Sequence, residues 1–319
     1  MIQKIILITG QTATGKTRLA LKYAQKFKGE LINCDSRQIY KYLDIITGKD
    51  KQLVARVKVW LYDVIKPNEY FSSFDFVKLA VPIIKKIFYE GKTPIIVGGT
   101  YFYLYHLLYN VTTENIAPDW RLRNKLENKS IKELQTILSN YSPQLIKQLN
   151  QSELNNPQRL IRKIEIESFR HSGKRPRVLE GARQESNNDS GFIPRIHPEG
   201  IAVLPRMTLK NKLGINDLEF DFIALKFKNK ESLRQAIEKR VGERLKLGAI
   251  DEVKKILKMG YSESDPGLKT IGYQQLILHL KGVLDIDTAI QQWINKEVQY
   301  AKRQFTFMKK DKNIKWRYF

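Results

Sequence analysis

Gly10-Gln11-Thr12-Ala13-Thr14-Gly15-Lys16-Thr17 satisfies the pattern G-x-x-x-x-G-K-[ST] at every position. The apolar run Ile5-Ile6-Leu7-Ile8-Thr9 leads into it and an amphipathic stretch from about Lys16 to Phe27 leads out, so the octapeptide joins an expected strand to an expected helix. The glycines Gly10 and Gly15 let the backbone wrap closely around phosphate oxygens. The amides of Thr12, Ala13 and Thr14 and the helix N-terminus supply donors, Lys16 supplies a point charge, and Thr17 can hold Mg²⁺. With glycine at about 7% of average usage, a chance match in a chain of this length is roughly a one-in-a-hundred event. The loop alone does not say which phosphorylated molecule it holds.

Working outward, two further β-branched runs, residues 31–34 and 94–97, alternate with longer helical stretches. Each run is apolar throughout, as strands covered by helices on both faces are, so βαβ order and a parallel sheet follow. Ser72-Ser73-Phe74-Asp75 forms a capping-box pattern for a helix to about Tyr89, which Gly91 ends. The expected fold is α/β: a P-loop NTPase-like parallel sheet flanked by helices, with a helical insertion domain. Residues 1–112 read as the first part of the core. Residues 113–197, where strand-like runs vanish and helical segments follow Pro118, Pro143 and Pro157, read as the insertion. Residues 198–319 return to the core, with a strand at 220–227 and helices at 231–247, 251–259 and 288–310. Residues 181–200 are the most loop-like stretch.

The chain has 319 residues, 42% of them apolar, enough for a sizeable core, and 56 Lys and Arg against 33 Asp and Glu give it a net charge of +23. Such an excess calls for polyanionic company, and nucleic acid is the first partner to consider. One cysteine, Cys34, excludes an internal disulfide, no run is long enough for a membrane helix, and the start of the chain reads as fold and not as a secretory signal. The expected setting is cytoplasmic, with nothing that demands more than a monomer. The four histidines are scattered and form no zinc pattern.

Asp35 follows the second strand immediately, at the edge of the sheet where open α/β folds place ligands. There it could hold a metal, cap a helix or accept a proton. Asp35-Ser36-Arg37-Gln38-Ile39-Tyr40-Lys41 with Leu43-Asp44-Ile45 resembles the D-S-x-Q-I-Y-K-x-L-D-I signature of bacterial tRNA dimethylallyltransferases, and the phosphate loop resembles that family's G-P-T-A-S-G-K-T. Pro94-Ile95-Ile96-Val97-Gly98-Gly99-Thr100 is similar to its P-I-L-V-G-G-T, where a typical phosphoryl-transfer enzyme offers an acid. Asn156-Pro157-Gln158-Arg159-Leu160-Ile161-Arg162, Ser172-Gly173-Lys174-Arg175-Pro176, Ile271-Gly272-Tyr273 and Tyr300-Ala301-Lys302-Arg303-Gln304-Phe305-Thr306 look like family landmarks in the family's order.

The resemblance implies transfer of a dimethylallyl group from dimethylallyl diphosphate to N6 of the adenosine 3′ of the anticodon, position 37, in tRNAs reading codons that begin with U. On that reading the loop and a Thr17-bound Mg²⁺ stabilise leaving pyrophosphate, Asp35 accepts the proton of the adenine amine, and Thr100 positions the amine or the diphosphate. The base has to be flipped out of the anticodon stem-loop, and Ser36 and Gln38 are candidates for neighbouring contacts. Between Arg159 and Arg177 seven Lys or Arg stand against two Glu, and Arg159, Arg162, Lys163 and Arg170 share one helix face, which suits RNA backbone as well as plain solvation. From Lys302 to Phe319, with Lys302 and Arg303 at its start, seven Lys or Arg stand against one Asp with five aromatics interleaved.

The pattern also departs from the family. Its L-x-x-R-I-x-x-R becomes Leu233-Arg234-Gln235-Ala236-Ile237-Glu238-Lys239-Arg240, with Ala236 in place of an arginine that Arg234 or Arg240 would have to replace. The paired histidines before L-I-D appear as Val59-Trp60, and G-T-A-K-P as Ile46-Thr47-Gly48-Lys49-Asp50. Two other readings stay open: a small-molecule or nucleotide kinase binding ATP in the same loop, and a tRNA-binding relative impaired in catalysis.

Overall fold

The computed structural model describes residues 3–51, 54–55, 57–109, 116–172 and 209–319. They belong to two compact units, Met1–Tyr109 with Ala202–Phe319, and Asn110–Ile201. The loop-like stretch 181–200 and most of the 172–176 landmark lie outside the described residues.

The first unit begins with β1 (Gln3–Gly10), α1 (Lys16–Lys26), β2 (Gly29–Asn33), β3 (Val59–Trp60), α2 (Ser73–Tyr89), β4 (Thr93–Val97) and α3 (Tyr101–Leu108). The second unit carries α4 (Trp120–Leu126), α5 (Ile131–Tyr141), α6 (Pro143–Gln148), α7 (Gln151–Leu154) and α8 (Pro157–His171). The chain then completes the first unit with α9 (Leu209–Leu213), β5 (Leu218–Lys226), α10 (Lys230–Lys246), α11 (Ala249–Lys258), α12 (Tyr273–Leu280), α13 (Ile286–Met308) and β6 (Lys315–Tyr318).

The strands form one parallel sheet in the order β3-β2-β4-β1-β5-β6. Both faces are covered over β1, β2 and β4, which is why these strands are apolar runs without polar alternation. Ile5 and Leu7 pack toward Phe76, Ala80 and Ile84 of α2 and Leu104 and Leu107 of α3. Ile6 and Ile8 pack on the other face with Ala20 and Ala24 of α1. The Ser72–Asp75 capping box opens α2 as expected, and its apolar residues Phe76, Val77, Ala80, Ile84 and Ile87 are buried. Phe76, Val77, Ile84 and Ile87 each contribute on the order of 1.5–3 kcal/mol on removal from water, and Ala80 less. Among the described residues, no helix is long and apolar enough to cross a membrane. Two edge strands, β3 and β6, escaped the sequence reading: at two and four residues they are too short to show a period.

Among the described residues, each helix of the second unit starts on a capping side chain, Asp119, Ser130, Ser142, Asn150 or Asn156, and Pro143 and Pro157 occupy first-turn positions that need no amide donor. Leu126, Leu134, Leu138, Leu160 and Ile164 make its core.

What places the site is the alignment of three neighbouring strand ends. Asn33, Val97 and Ile8 stand in register across β2, β4 and β1. Beyond them the chains stay pinned: Cys34 N donates to Val97 O at 2.8 Å, Gly98 N to Ile8 O at 3.1 Å and Thr100 N to Cys34 O at 3.1 Å. A β-carbon at Gly98 would lie 2.0 Å from Cys34 O, and one at Gly10 (φ +131°) 2.2 Å from Leu225 O. Gly98→Ala is therefore expected to destabilise the protein by at least about 1–3 kcal/mol in urea unfolding. Gly242→Ala, in the interior of α10 with nothing within 4 Å of the new methyl, is expected to stabilise it by about 0.5–1 kcal/mol.

Candidate active site

The phosphate loop leaves β1 and turns into α1 through Gly15 in the left-handed region (φ 74°), with Ala13 also at positive φ. Gln11 O organises the turn by accepting from Thr14 Oγ1 at 2.8 Å and from Lys16 Nζ at 2.7 Å. Thr12, Ala13, Gly15, Lys16 and Thr17 line a cavity of about 1220 Å³; Gly10 and Thr14 do not. Gly10 instead lies against the β5 backbone, and Thr14 closes the turn, so both shape the loop from behind.

Asp35 opens onto the same cavity. Its Oδ1 accepts from the amide of Arg37 at 2.9 Å, which fixes the carboxylate at the strand tip. Ser36 and Gln38 line the cavity too, but Gln38 Nε2 is engaged with Thr47 O and Gly48 O at 3.0 and 2.8 Å. Gln38 therefore holds the 44–50 loop in place. Thr100 is not among the lining residues. Its hydroxyl accepts from Ser36 N at 2.9 Å and donates to Ser36 Oγ at 3.1 Å, tying the end of β4 to the Asp35 turn.

The far wall comes from α13, whose buried stripe runs Ala289, Trp293, Glu297, Ala301, Gln304, Met308. Two of these are polar, and both serve the site. Gln304 accepts from Thr12 N at 2.9 Å and donates to Gly99 O at 2.8 Å, bridging phosphate loop and β4. Glu297, Tyr300 and Arg303 face the cavity, while Lys302 is exposed and outside it. Burial raises the Tyr300 hydroxyl pKa, and the neighbouring Asp35 charge raises it further. Polar residues interrupting an apolar helical stripe are the signal that could have found Glu297 and Gln304 in the sequence.

Lys and Arg outnumber Asp and Glu ten to five among the lining residues, so the cavity attracts anions. Burial lowers the Lys16 pKa to about 8, helped by the nearby Arg240 charge and opposed by Asp35 and Glu297. Among the described residues no cluster of three or more His, Cys, Asp or Glu could hold a metal by itself. The Thr17 hydroxyl on the cavity wall suits a magnesium ion that takes its other ligands from phosphate and water.

In the second unit Arg159 is exposed, donating to Ser152 Oγ at 3.3 Å. Arg162 departs from the expected basic face. It pairs with the buried Glu165, which Arg123 also grips at 2.7 Å, and donates to Ile116 O at 2.8 Å. Lys163 and Arg170 are paired with Glu153 and Glu167. At the start of α3, Tyr101, Tyr103 and Leu104 pack into the core while Phe102 is exposed; Tyr101, and Tyr109 beyond the helix, donate to the buried Asp311 at 2.5 and 2.6 Å.

Comparison with known proteins places the chain in a family. Residues 38–311 match the IPP transferase family. A tRNA dimethylallyltransferase of Acetivibrio thermocellus is 32% identical over 317 residues, covering 99% of this chain and 91% of the relative. One of Aquifex aeolicus is 32% identical over 312 residues, covering 96% and 90%. The crystal structure of a tRNA isopentenylpyrophosphate transferase from Staphylococcus epidermidis superposes with a TM-score of 0.63 at 28% identity, covering 99% of this chain and 93% of that one. Matched along most of its sequence and nearly all of its fold, this chain belongs to the IPP transferase family.

Proposed function

We propose that this protein transfers a dimethylallyl group from dimethylallyl diphosphate to N6 of the adenosine 3′ of the anticodon, position 37, in tRNAs reading codons that begin with U, releasing pyrophosphate. The observation that carries this reading is that Asp35 and the phosphate loop line one cavity, large enough for a flipped purine beside a prenyl diphosphate.

The allylic C–O bond breaks with its electron pair going to pyrophosphate, and positive charge develops on the allylic carbon. With the Thr12 amide already given to Gln304, the backbone at Ala13, Gly15 and Lys16 and the Lys16 ammonium border the space where the leaving oxygens gather negative charge, so their stabilisation grows as the bond breaks. A magnesium ion on Thr17 would add positive charge to the same leaving group. N6 attacks the carbon, its C–N bond forms, and Asp35 takes the amine proton. Thr100 acts on this step through Ser36, keeping the Asp35 turn against β4.

The tRNA anticodon stem-loop is assigned to exposed cations, Arg159 in the second unit and Lys302 and Arg303 on α13, with Ser36 beside the base. Arg162 serves by holding Glu165, and Gln38 by holding the 47–48 turn. The enzyme is read as a cytoplasmic monomer.

With unmodified tRNA, dimethylallyl diphosphate and Mg²⁺, digestion of the product is expected to yield N6-dimethylallyl-adenosine; ATP turnover without that product would instead support a kinase. Asp35→Asn is expected to lower the transfer rate by about 10²–10⁴-fold while tRNA affinity stays within about twofold of wild type. A large loss of tRNA affinity would remove Asp35 from the role of base.

The low pKa of Lys16 gives a pH signature. Below about 8 the ammonium is charged and meets the diphosphate; as pH rises through 8 the charge is lost unless bound anion restores it. Pyrophosphate affinity is expected to fall between pH 8 and 10, with proton uptake on binding measurable by calorimetry in buffers of different ionisation enthalpy. Lys16→Met should bind more weakly and lose that slope.

A further inference from the structure

Helix α10 presents Ala236, Arg240 and Arg244 at four-residue spacing on one face, and all three line the cavity. Arg234 is directed elsewhere: its Nε pairs with Glu238 at 2.8 Å and Nη1 donates to Asn295 at 3.2 Å. The guanidinium absent at position 236 is therefore not supplied by Arg234. Across from this face stands Glu297 of α13, only 6% exposed. It accepts from Arg240 Nη2 at 2.6 Å, from Arg244 Nη1 at 3.4 Å and from Trp293 Nε1 at 3.4 Å.

Two cations thus share one carboxylate. Burial alone would raise the Glu297 pKa, but Arg240 and Arg244 hold it below the ordinary carboxylate range, so it stays charged. Had Arg240 been its only partner, Glu297 would have cancelled the charge that Arg240 shows to the cavity. Arg244 lies deeper. It is 6% exposed and packed over Gly48, where a β-carbon would come within 2.5 Å of its Nη2. Arg240 faces outward, close enough to Lys16 to depress that lysine's pKa, and its buried Nε has no hydrogen-bond partner among the described residues. Asp50 also lies near both guanidiniums and Lys16 near Glu297, so Glu297 is not the only counter-charge of the cluster, but a buried guanidinium Nε left without a hydrogen-bond partner, as on Arg240, is costly. A bound anion offsets that cost.

We propose that Glu297 and Arg244 are positioning residues for the diphosphate: Glu297 aims the Arg240 guanidinium at the anion beside Lys16, and Arg244 neutralises Glu297 so that Arg240 keeps its charge, in place of the guanidinium that Ala236 lacks. This rests on the reading of the cavity as a prenyl-diphosphate site.

The test measures binding of inorganic pyrophosphate to the full-length protein by calorimetry, together with KM for dimethylallyl diphosphate and for tRNA. Arg244→Met is expected to raise the pyrophosphate Kd and the dimethylallyl diphosphate KM roughly tenfold, with the tRNA KM within about twofold. Arg244→Met/Glu297→Gln removes cation and anion together and should return pyrophosphate affinity to within about threefold of wild type; Arg244→Met/Ala236→Arg should do the same. Unchanged pyrophosphate affinity in Arg244→Met, or no recovery in either double variant, overturns the proposal. Should Arg244→Met not fold, Glu297→Gln decides. With charge freed but no longer aimed, it should bind pyrophosphate at least as tightly as wild type while kcat falls tenfold or more, and weakened pyrophosphate binding overturns the proposal. Wild type that binds pyrophosphate but transfers no prenyl group would sink the proposed function alone, with the charge cluster still judged by the pyrophosphate series. Wild type that binds no pyrophosphate would sink both.

Discussion

Three parallel strands that end level with one another, and whose emerging chains must satisfy buried backbone groups, govern everything at the mouth of this sheet. Cys34, Gly98 and Thr100 continue the hydrogen bonding past the last strand residues, so the Asp35 turn and the end of β4 are held together before any side chain acts. The closeness tolerates no β-carbon at Gly98. Thr100 adds the side-chain tie to Ser36. The carboxylate and the phosphate loop face one cavity because their strands, separated only by β4, stop at the same height.

A sheet edge alone is an open ledge. The cavity gains a wall because α13 returns across it, anchored by Gln304 to both the phosphate loop and Gly99. Gln304 is 6% exposed, and its amide group satisfies one orphan donor of the loop and one carbonyl of the β4 end. The helix thereby carries Tyr300 beside Asp35 and Glu297 beside the α10 arginines.

A further wall, residues 44–51, owes its shape to buried charge. Lys49 is fully buried, with its ammonium on Tyr40 O, Asp44 and Asp63. Glu252 of α11 accepts from the amides of Asp44, Ile45 and Ile46 and from the Tyr273 hydroxyl. A carboxylate receiving three backbone amides substitutes for regular secondary structure, so a segment without strand or helix becomes a rigid lining. Such paired interior charges add little net stability compared with apolar packing, but they specify one loop conformation and penalise others.

Much of this was legible in the sequence because it is local. The phosphate loop, the capping box of α2 and the apolar runs of β1, β2 and β4 each depend on residues within one turn or one strand, and the resemblance of the 35–45 and 94–100 segments placed Asp35 at a strand tip. What sequence left undetermined is the set of partners. Whether Arg162 meets solvent or Glu165, whether Thr100 faces the cavity or Ser36, and which arginine of α10 stands in for Ala236 turn on side chains brought together by packing. Residues 240 and 297 are 57 apart in the chain. Periodicity assigns a residue to a face; only the tertiary contacts of that face decide which charge it meets, and so whether a cation is spent on the fold or left for a ligand.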